Sequence, residues 1–233
     1  MKKILTIALL LIAINAQGQG LSVPANATLA SLFPDENLRR VVTEVLGPNA
    51  GLVGQRLSDA LAGIEWLQAD YYGINNATGI EYMLGLETLD LRRNNLTSLT
   101  NLTRLTNLIC LNVSNNNLTT IDISHNIKLI DLDLSNNQLI EIDVSNNINL
   151  TTLSVSDNPI TTLDISKLIY LEWLFIDNTL IATLDIRNNP KLSTLIRRGS
   201  YLTNDNIEGY RRGIGHAMEG EIDWIRPGSW GGR

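Results

Sequence analysis

Residues 129–139 read Leu129-Ile130-Asp131-Leu132-Asp133-Leu134-Ser135-Asn136-Asn137-Gln138-Leu139. Leucine at the first, fourth, sixth and eleventh places and asparagine at the ninth give the template L-x-x-L-x-L-x-x-N-x-L. The same template fits Leu86, Leu89, Leu91, Asn94 and Leu96, then Leu108, Leu111, Val113, Asn116 and Leu118. It fits again at Leu150, Leu153, Val155, Asn158 and Ile160. A copy with threonine for asparagine runs through Leu171, Leu174, Ile176, Thr179 and Ile181, a degenerate first copy starts at Ile64, and a fading last one at Leu192. Successive copies start 22, 22, 21, 21, 21 and 21 residues apart. Self-similarity at a fixed period of this length is the mark of a solenoid.

Places four to six of each copy alternate apolar, variable, apolar, as a strand with one buried face does. One short strand in every 21 residues cannot bury its own face, so copies must stack and share a core. Stacking pairs each strand in parallel with the next. The sequence therefore predicts an α/β fold: a right-handed solenoid of about seven coils with one concave parallel sheet over residues 64–198. Asn94, Asn116, Asn137 and Asn158 fall where each strand must turn, and an asparagine side chain supplies both the donor and the acceptor that buried turn amides need. They read as a structural ladder.

The return halves are of two kinds. Leu96, Leu99, Leu102 and Leu105 recur every three residues, which fits a 3₁₀ turn. Ile121-Asp-Ile123, Ile142-Asp-Val144, Leu163-Asp-Ile165 and Leu184-Asp-Ile186 alternate instead and predict short extended segments on the convex side. This stacks Asp122, Asp143, Asp164 and Asp185. Such a ladder raises the question of a cation, but aspartate also satisfies turn amides locally, and no calcium-binding motif is present. No metal site and no cofactor is expected.

Open ends of a solenoid expose core and need caps. Within residues 21–63, Pro34-Asp-Glu-Asn-Leu38 opens a helix whose Leu38, Val41, Val42, Val45 and Leu46 share one face, and Gly47-Pro48 close it. Residues 199–233 lose the period and carry Tyr201, Tyr210, Trp224, Ile225 and Trp230, predicting an irregular or short-helical C-terminal cap with a mobile tail. At the other end, Lys2 and Lys3, the apolar run Ile4–Ile14 and the small residues to Gly20 have the three parts of a secretory signal over residues 1–20. The run is about half of the roughly 20 residues a span needs, so the expectation is an exported chain with no integral membrane span.

Composition narrows the function. Of 233 residues, 24 are acidic and 18 basic, for a net charge of −6, which opposes nucleic-acid binding. The single cysteine, Cys110, forbids an intrachain disulfide, and two histidines leave little for proton or metal chemistry. No nucleophile–histidine constellation or phosphate loop occurs, and the carboxylates fall where the repeat puts them. The chain reads as no enzyme.

The cap Phe33-Pro-Asp-Glu-Asn-Leu-Arg-Arg40, the stretch Gly79-Ile-Glu-Tyr82 and the repeat Leu118-Thr-Thr-Ile-Asp-Ile-Ser-His-Asn126 resemble bacterial leucine-rich-repeat proteins of the internalin type, across roughly residues 32–198. That resemblance implies a surface or secreted protein that binds protein partners on its concave face without catalysis. The chain departs from the type in lacking a cysteine ladder, a wall-sorting motif and an adjoining immunoglobulin-like domain. A secreted or cell-surface, monomeric interaction module is therefore expected. The alternative is a structural or adhesive envelope component acting through weak multivalent contacts.

Alternation buries places four and six and predicts places three, five and seven on the concave face. That puts Trp173, Phe175 and Ile196 together at the C-terminal end with Asp177 beside them, and makes them the expected partner-binding patch. Trp66 and Arg92 form a second candidate contact. Burial of the patch by Trp224, Ile225 or Trp230 is the intramolecular alternative.

Overall fold

Seven strands of three residues each lie in one parallel sheet, in chain order except for one convex strand between the last two. They are β1 (Trp66–Gln68), β2 (Thr88–Asp90), β3 (Cys110–Asn112), β4 (Asp131–Asp133), β5 (Thr152–Ser154), β6 (Trp173–Phe175) and β8 (Thr194–Ile196). The computed structural model describes residues 23–210. The signal segment, the C-terminal aromatics Trp224, Ile225 and Trp230 and the expected mobile tail lie outside these residues.

Pairing is in register from end to end. Leu67, Leu89, Leu111, Leu132, Leu153, Leu174 and Leu195 form one column, each at most 1% exposed. Ala69, Leu91, Val113, Leu134, Val155 and Ile176, two residues later, are also fully buried. The period thus becomes two inward columns of aliphatic side chains, and every coil lends its neighbour half of its core.

On the return side the three-residue leucine spacing forms a 3₁₀ turn at Asn101–Arg104, preceded one coil earlier by another at Ile80–Tyr82. Among the described residues most of the expected convex segments pair with no other strand. Only Leu184–Asp185 (β7) is extended and paired, in parallel with Ile207–Glu208 (β9). Elsewhere the chain tightens into turns, with Asn126 N–H donating to the Ile123 carbonyl and Asn147 N–H to that of Val144, both at 3.0 Å. The same turn bond forms beside β7, from the Asn189 N–H to the Ile186 carbonyl at 3.0 Å, so the turn itself does not decide where a convex segment pairs.

The N-terminal cap has three helices where the sequence predicted one: α1 (Leu29–Leu32), α2 (Glu36–Leu46) and α3 (Gly54–Ala62). In α2, Asp35 caps the helix, accepting the Asn37 and Leu38 N–H groups at 3.0 Å, and Gly47 (φ 52°) ends it. Leu38, Val41, Val42 and Leu46 are buried, but Val45 is 46% exposed, because the buried stripe is narrower than the apolar one. Helix α3 follows Val53, which gives no side-chain cap, and anchors itself by Leu57 and Leu61. At the far end Leu202 and Ile207 are buried, and Arg197 Nη1 donates to the Leu202 carbonyl.

One backbone feature repeats in every coil, marked in the sequence by Asn, Asp or Gly in five of the seven copies. Tyr71, Arg93, Asn115, Asn136, Asp157 and Asn178 all have φ between 52° and 64°, and Gly199 follows at 64°. This left-handed column sits just after each strand. Asparagine, aspartate and glycine tolerate it; tyrosine and arginine do so at a strain of order 1 kcal/mol. In the first two coils those two misfits meet, the Arg93 guanidinium lying 4.6 Å from the Tyr71 ring centroid.

Candidate functional site: the concave face and its asparagine ladder

Each repeat asparagine binds three carbonyls and one amide. Asn137 Nδ2 donates to the carbonyls of Val113 (3.0 Å), Leu134 (3.0 Å) and Ser135 (3.2 Å), while its Oδ1 accepts the Leu118 N–H at 3.0 Å. Asn94, Asn116 and Asn158 make the same set one coil apart. Thr179, in the fifth full copy, replaces this with one bond, its hydroxyl donating to the Ile176 carbonyl at 2.9 Å. A second buried row was not singled out from the sequence. Asn126, Asn147 and Asn189 are fully buried on the convex side, and each side-chain amide donates to two carbonyls of the preceding coil. The signal was the last residue of each Ser-x-Asn or Arg-Asn-Asn segment, hidden because Leu168 interrupts it.

The convex aspartates serve their own turns. Asp122 Oδ1 accepts the Ser124 N–H (2.9 Å) and hydroxyl (2.6 Å), Asp143 and Asp164 accept the N–H groups of Ser145 and Ser166, and Asp185 pairs with Arg187. These hydrogen bonds hold all four carboxyls below the usual carboxylate range. Among the described residues no three His, Cys, Asp or Glu side chains are grouped to hold a metal ion.

On the concave face, register aligns Trp66, Thr88, Cys110, Asp131, Thr152, Trp173 and Thr194 in one column, and Gln68, Asp90, Asn112, Asp133, Ser154, Phe175 and Ile196 in the next. The expectation that this second column is exposed is corrected. From Asp90 to Ile196 every member is at most 4% exposed. Side chains on adjacent strands about 4.8 Å apart crowd one another, and the flanking columns close over them. Phe175 and Ile196 therefore form the floor of the C-terminal patch. Trp173 is half-buried above them, its ring stacked on Phe175 with centroids 6.5 Å apart and planes 12° apart.

Burial also shapes the electrostatics. Desolvation pushes the Asp90 carboxyl up to about 6, against the pull of Arg92, whose Nε lies 3.3 Å from Asp90 Oδ2. Arg92 reaches Asp70 at 3.7 Å as well. Asp133 is likewise raised by burial, although it accepts the Ser135 N–H and hydroxyl at 3.0 and 2.7 Å. Cys110 is buried with Asp131 3.8 Å from its sulfur, and burial drives its thiol up to about 12, which leaves it protonated and unreactive. Asp177, two residues beyond Phe175, is raised by burial. The candidate residues thus fall into two groups: Trp66 (42% exposed) and Arg92 near the N-terminal end, and Trp173, Phe175, Ile196 and Asp177 near the other.

Comparison with known proteins agrees with this geometry. The Leucine Rich Repeat family profile matches residues 149–171. The functional domain of InlJ from Listeria monocytogenes, which includes a cysteine ladder, is similar over 80% of this chain and 46% of that one, at 28% identity and a TM-score of 0.62. Internalin C2 of the same organism is similar at 28% identity and a TM-score of 0.70, over 78% of this chain and 80% of that one. The internalin InlF, at 24% identity and a TM-score of 0.67 over 73% and 52%, shares the fold. The chain spans about half the length of the InlJ and InlF chains it matches. No curated protein matches it in sequence. Fold and repeat are those of a leucine-rich-repeat solenoid. Its resemblance is to the bacterial internalin type, a fold typically without catalytic activity, and no helix among the described residues is long and apolar enough to cross a membrane.

Proposed function

We infer that the chain is an exported, non-catalytic interaction module that docks a protein partner on its concave face. One observation carries this reading. Trp66 and Trp173 occupy the same register column on β1 and β6, five strands apart, or about 24 Å. The column between them is small or polar: Thr88, Cys110, Asp131 and Thr152. Aromatic anchors at both ends of a polar trough suit a partner held at two points, and such anchors dominate binding energy when covered. Phe175 and Ile196 back Trp173, Asp177 adds an acid beside it, and Arg92 with Asp70 supplies charge near Trp66. The stacked coils hold this surface in place before binding, so little ordering entropy is lost.

The test is to capture partners from culture medium and cell surfaces with the mature chain, purify the captured protein, and measure its affinity for the wild type, Trp66→Ala and Trp173→Ala. At least a tenfold loss in one variant with an unchanged unfolding midpoint is the expected result. Unchanged affinity in both rejects concave docking. N-terminal sequencing of chain recovered from the medium tests export, with a start after Ala16, Gly18 or Gly20 expected and a retained Met1 rejecting it.

A further inference from the structure

A second surface lies on the flank where each coil climbs towards its strand. Ile127, Ile148 and Ile169 hold the same place in three successive coils and are 54%, 48% and 48% exposed. Tyr170 (43%) and Ile130 (38%) extend the stripe. Nothing in the repeat requires isoleucine there, since the coil before has Thr106 and the coil after Pro190. Contiguous exposed apolar surface of this kind marks an interaction site.

The charges around it identify the partner's chemistry. Residues 23–210 contain three lysines, Lys128, Lys167 and Lys191, and all three border this stripe. None is ion-paired among the described residues. Lys128 Nζ donates to Asn107 Oδ1 at 2.8 Å, and Lys191 Nζ lies 4.6 Å from the Tyr170 ring centroid. Lys167 shares its field with Asp143 and Asp164, whose carboxyls it helps to lower, so Lys128 and Lys191 are the cations on offer. Residues 23–210 thus gather their three lysines beside one apolar row, outnumbering the exposed Glu172 that stacks two coils beyond Ile130. A second copy of the chain would bring like charges together, whereas an acidic partner would complement them.

Spacing narrows the shape. The isoleucines step at the coil spacing of roughly 5 Å, close to the 5.4 Å pitch of an α-helix. A helix lying along the solenoid axis places successive i, i+4, i+7 side chains between them. An extended strand, with same-face residues about 6.7 Å apart, falls out of step. We propose that this flank is a docking site for an amphipathic helix with acidic flanks, supplied by another protein and independent of the concave site.

The probe is a labelled 18-residue peptide with leucines at helical spacing and glutamates on either side, titrated against the full mature chain. Saturable binding is expected, weakened at least tenfold in the Ile127→Thr/Ile148→Thr/Ile169→Thr variant and at least threefold in Lys128→Gln/Lys191→Gln or on raising salt from about 50 to 500 mM. Thr106 shows that the coil accepts threonine at this place, and unfolding midpoints verify it. Equal binding of the same peptide with lysine for glutamate overturns the proposal. So does binding unaffected by the threonine variant, sedimentation with anionic phosphatidylglycerol vesicles in place of peptide binding, or dimerisation of the chain through these isoleucines.

Discussion

Asp35 and Asn75 are 40 residues apart, yet Asp35 Oδ2 accepts the Asn75 N–H at 2.9 Å while its Oδ1 caps helix α2. The same Oδ2 also accepts the Asn76 N–H at 3.1 Å. One carboxylate therefore starts the capping helix and clamps it to the first coil. Asp35→Ala is expected to lower stability by about 1–3 kcal/mol, the sum of a lost N-cap and orphaned turn amides. Asp35→Asn, with one oxygen, should keep part of that. Urea denaturation followed by circular dichroism distinguishes the three proteins.

The two asparagine rows should differ in how they tolerate an apolar replacement. Asn137→Ala leaves the Leu118 N–H without its acceptor. It also takes one donor from the carbonyls of Val113, Leu134 and Ser135, which keep bonds to Asn116, Asn158 and the Asn115 N–H. A loss of about 1–3 kcal/mol is expected. Asn147→Leu should be milder than Asn137→Leu, because Leu168 already fills the convex position one coil on and is fully buried there. Equal losses in the two leucine variants, measured by chemical denaturation, would contradict this reading of the convex row.

Deleting core from a central coil should be felt strongly. Leu132→Ala and Leu153→Ala each remove a side chain from the middle of an unbroken leucine column. A loss of about 2–5 kcal/mol is expected for each, read as a shift in the denaturation midpoint. Near-wild-type midpoints would place the columns in the wrong register.

The left-handed column allows a backbone test that spares the core. Asn136 has φ 54°, and its Nδ2 donates to Asn115 Oδ1 at 2.7 Å. Asn136→Gly and Asn136→Ala lose the same hydrogen bond, but only alanine is strained at that φ. Alanine is expected to be less stable than glycine by about 1 kcal/mol, a difference that thermal unfolding resolves.

Acidity should act on the two faces in opposite senses. Asp90 has its carboxyl near 6 in the folded state against 3.8 when unfolded. Folding therefore raises its proton affinity, so its contribution is fully present below about pH 4 and is lost as pH rises through 6. Asp133 shifts in the same direction. The convex aspartates, with lowered carboxyls, stabilise above about pH 4 and lose that contribution as pH falls further. Asp90→Asn should thus gain stability relative to wild type at pH 7 and much less at pH 4.5, by up to about 3 kcal/mol for a shift of this size. Urea midpoints at the two pH values decide it.

The in-register sheet was legible because the leucine period leaves one way to stack the copies. The fate of Phe175 and Ile196 was not. Alternation assigns them to the concave face, and they are there, but alternation carries no information on how tightly neighbouring strands crowd a face. Helix α3 was hidden for a different reason. It begins at Gly54 without a capping side chain, and its apolar period, Leu57, Ala60 and Leu61, is short and lacks a start signal. The exposed isoleucines were plain in the sequence, but the strand-forming leucines beside them dominate any reading by hydrophobicity alone.

The perfect register of the sheet has a consequence for how this molecule can change. Since residue i always meets residue i+21 or i+22, a duplication or deletion of one whole coil leaves every remaining pairing intact. Insertions within a strand shift a column and expose it, whereas the return side absorbs a residue, as coils of 22 and 21 residues in one register show. The sheet can therefore grow only in whole rungs, each lengthening the trough between Trp66 and Trp173 by about 5 Å. The distance between the two aromatic ends is a counted quantity, set by how many copies lie between them.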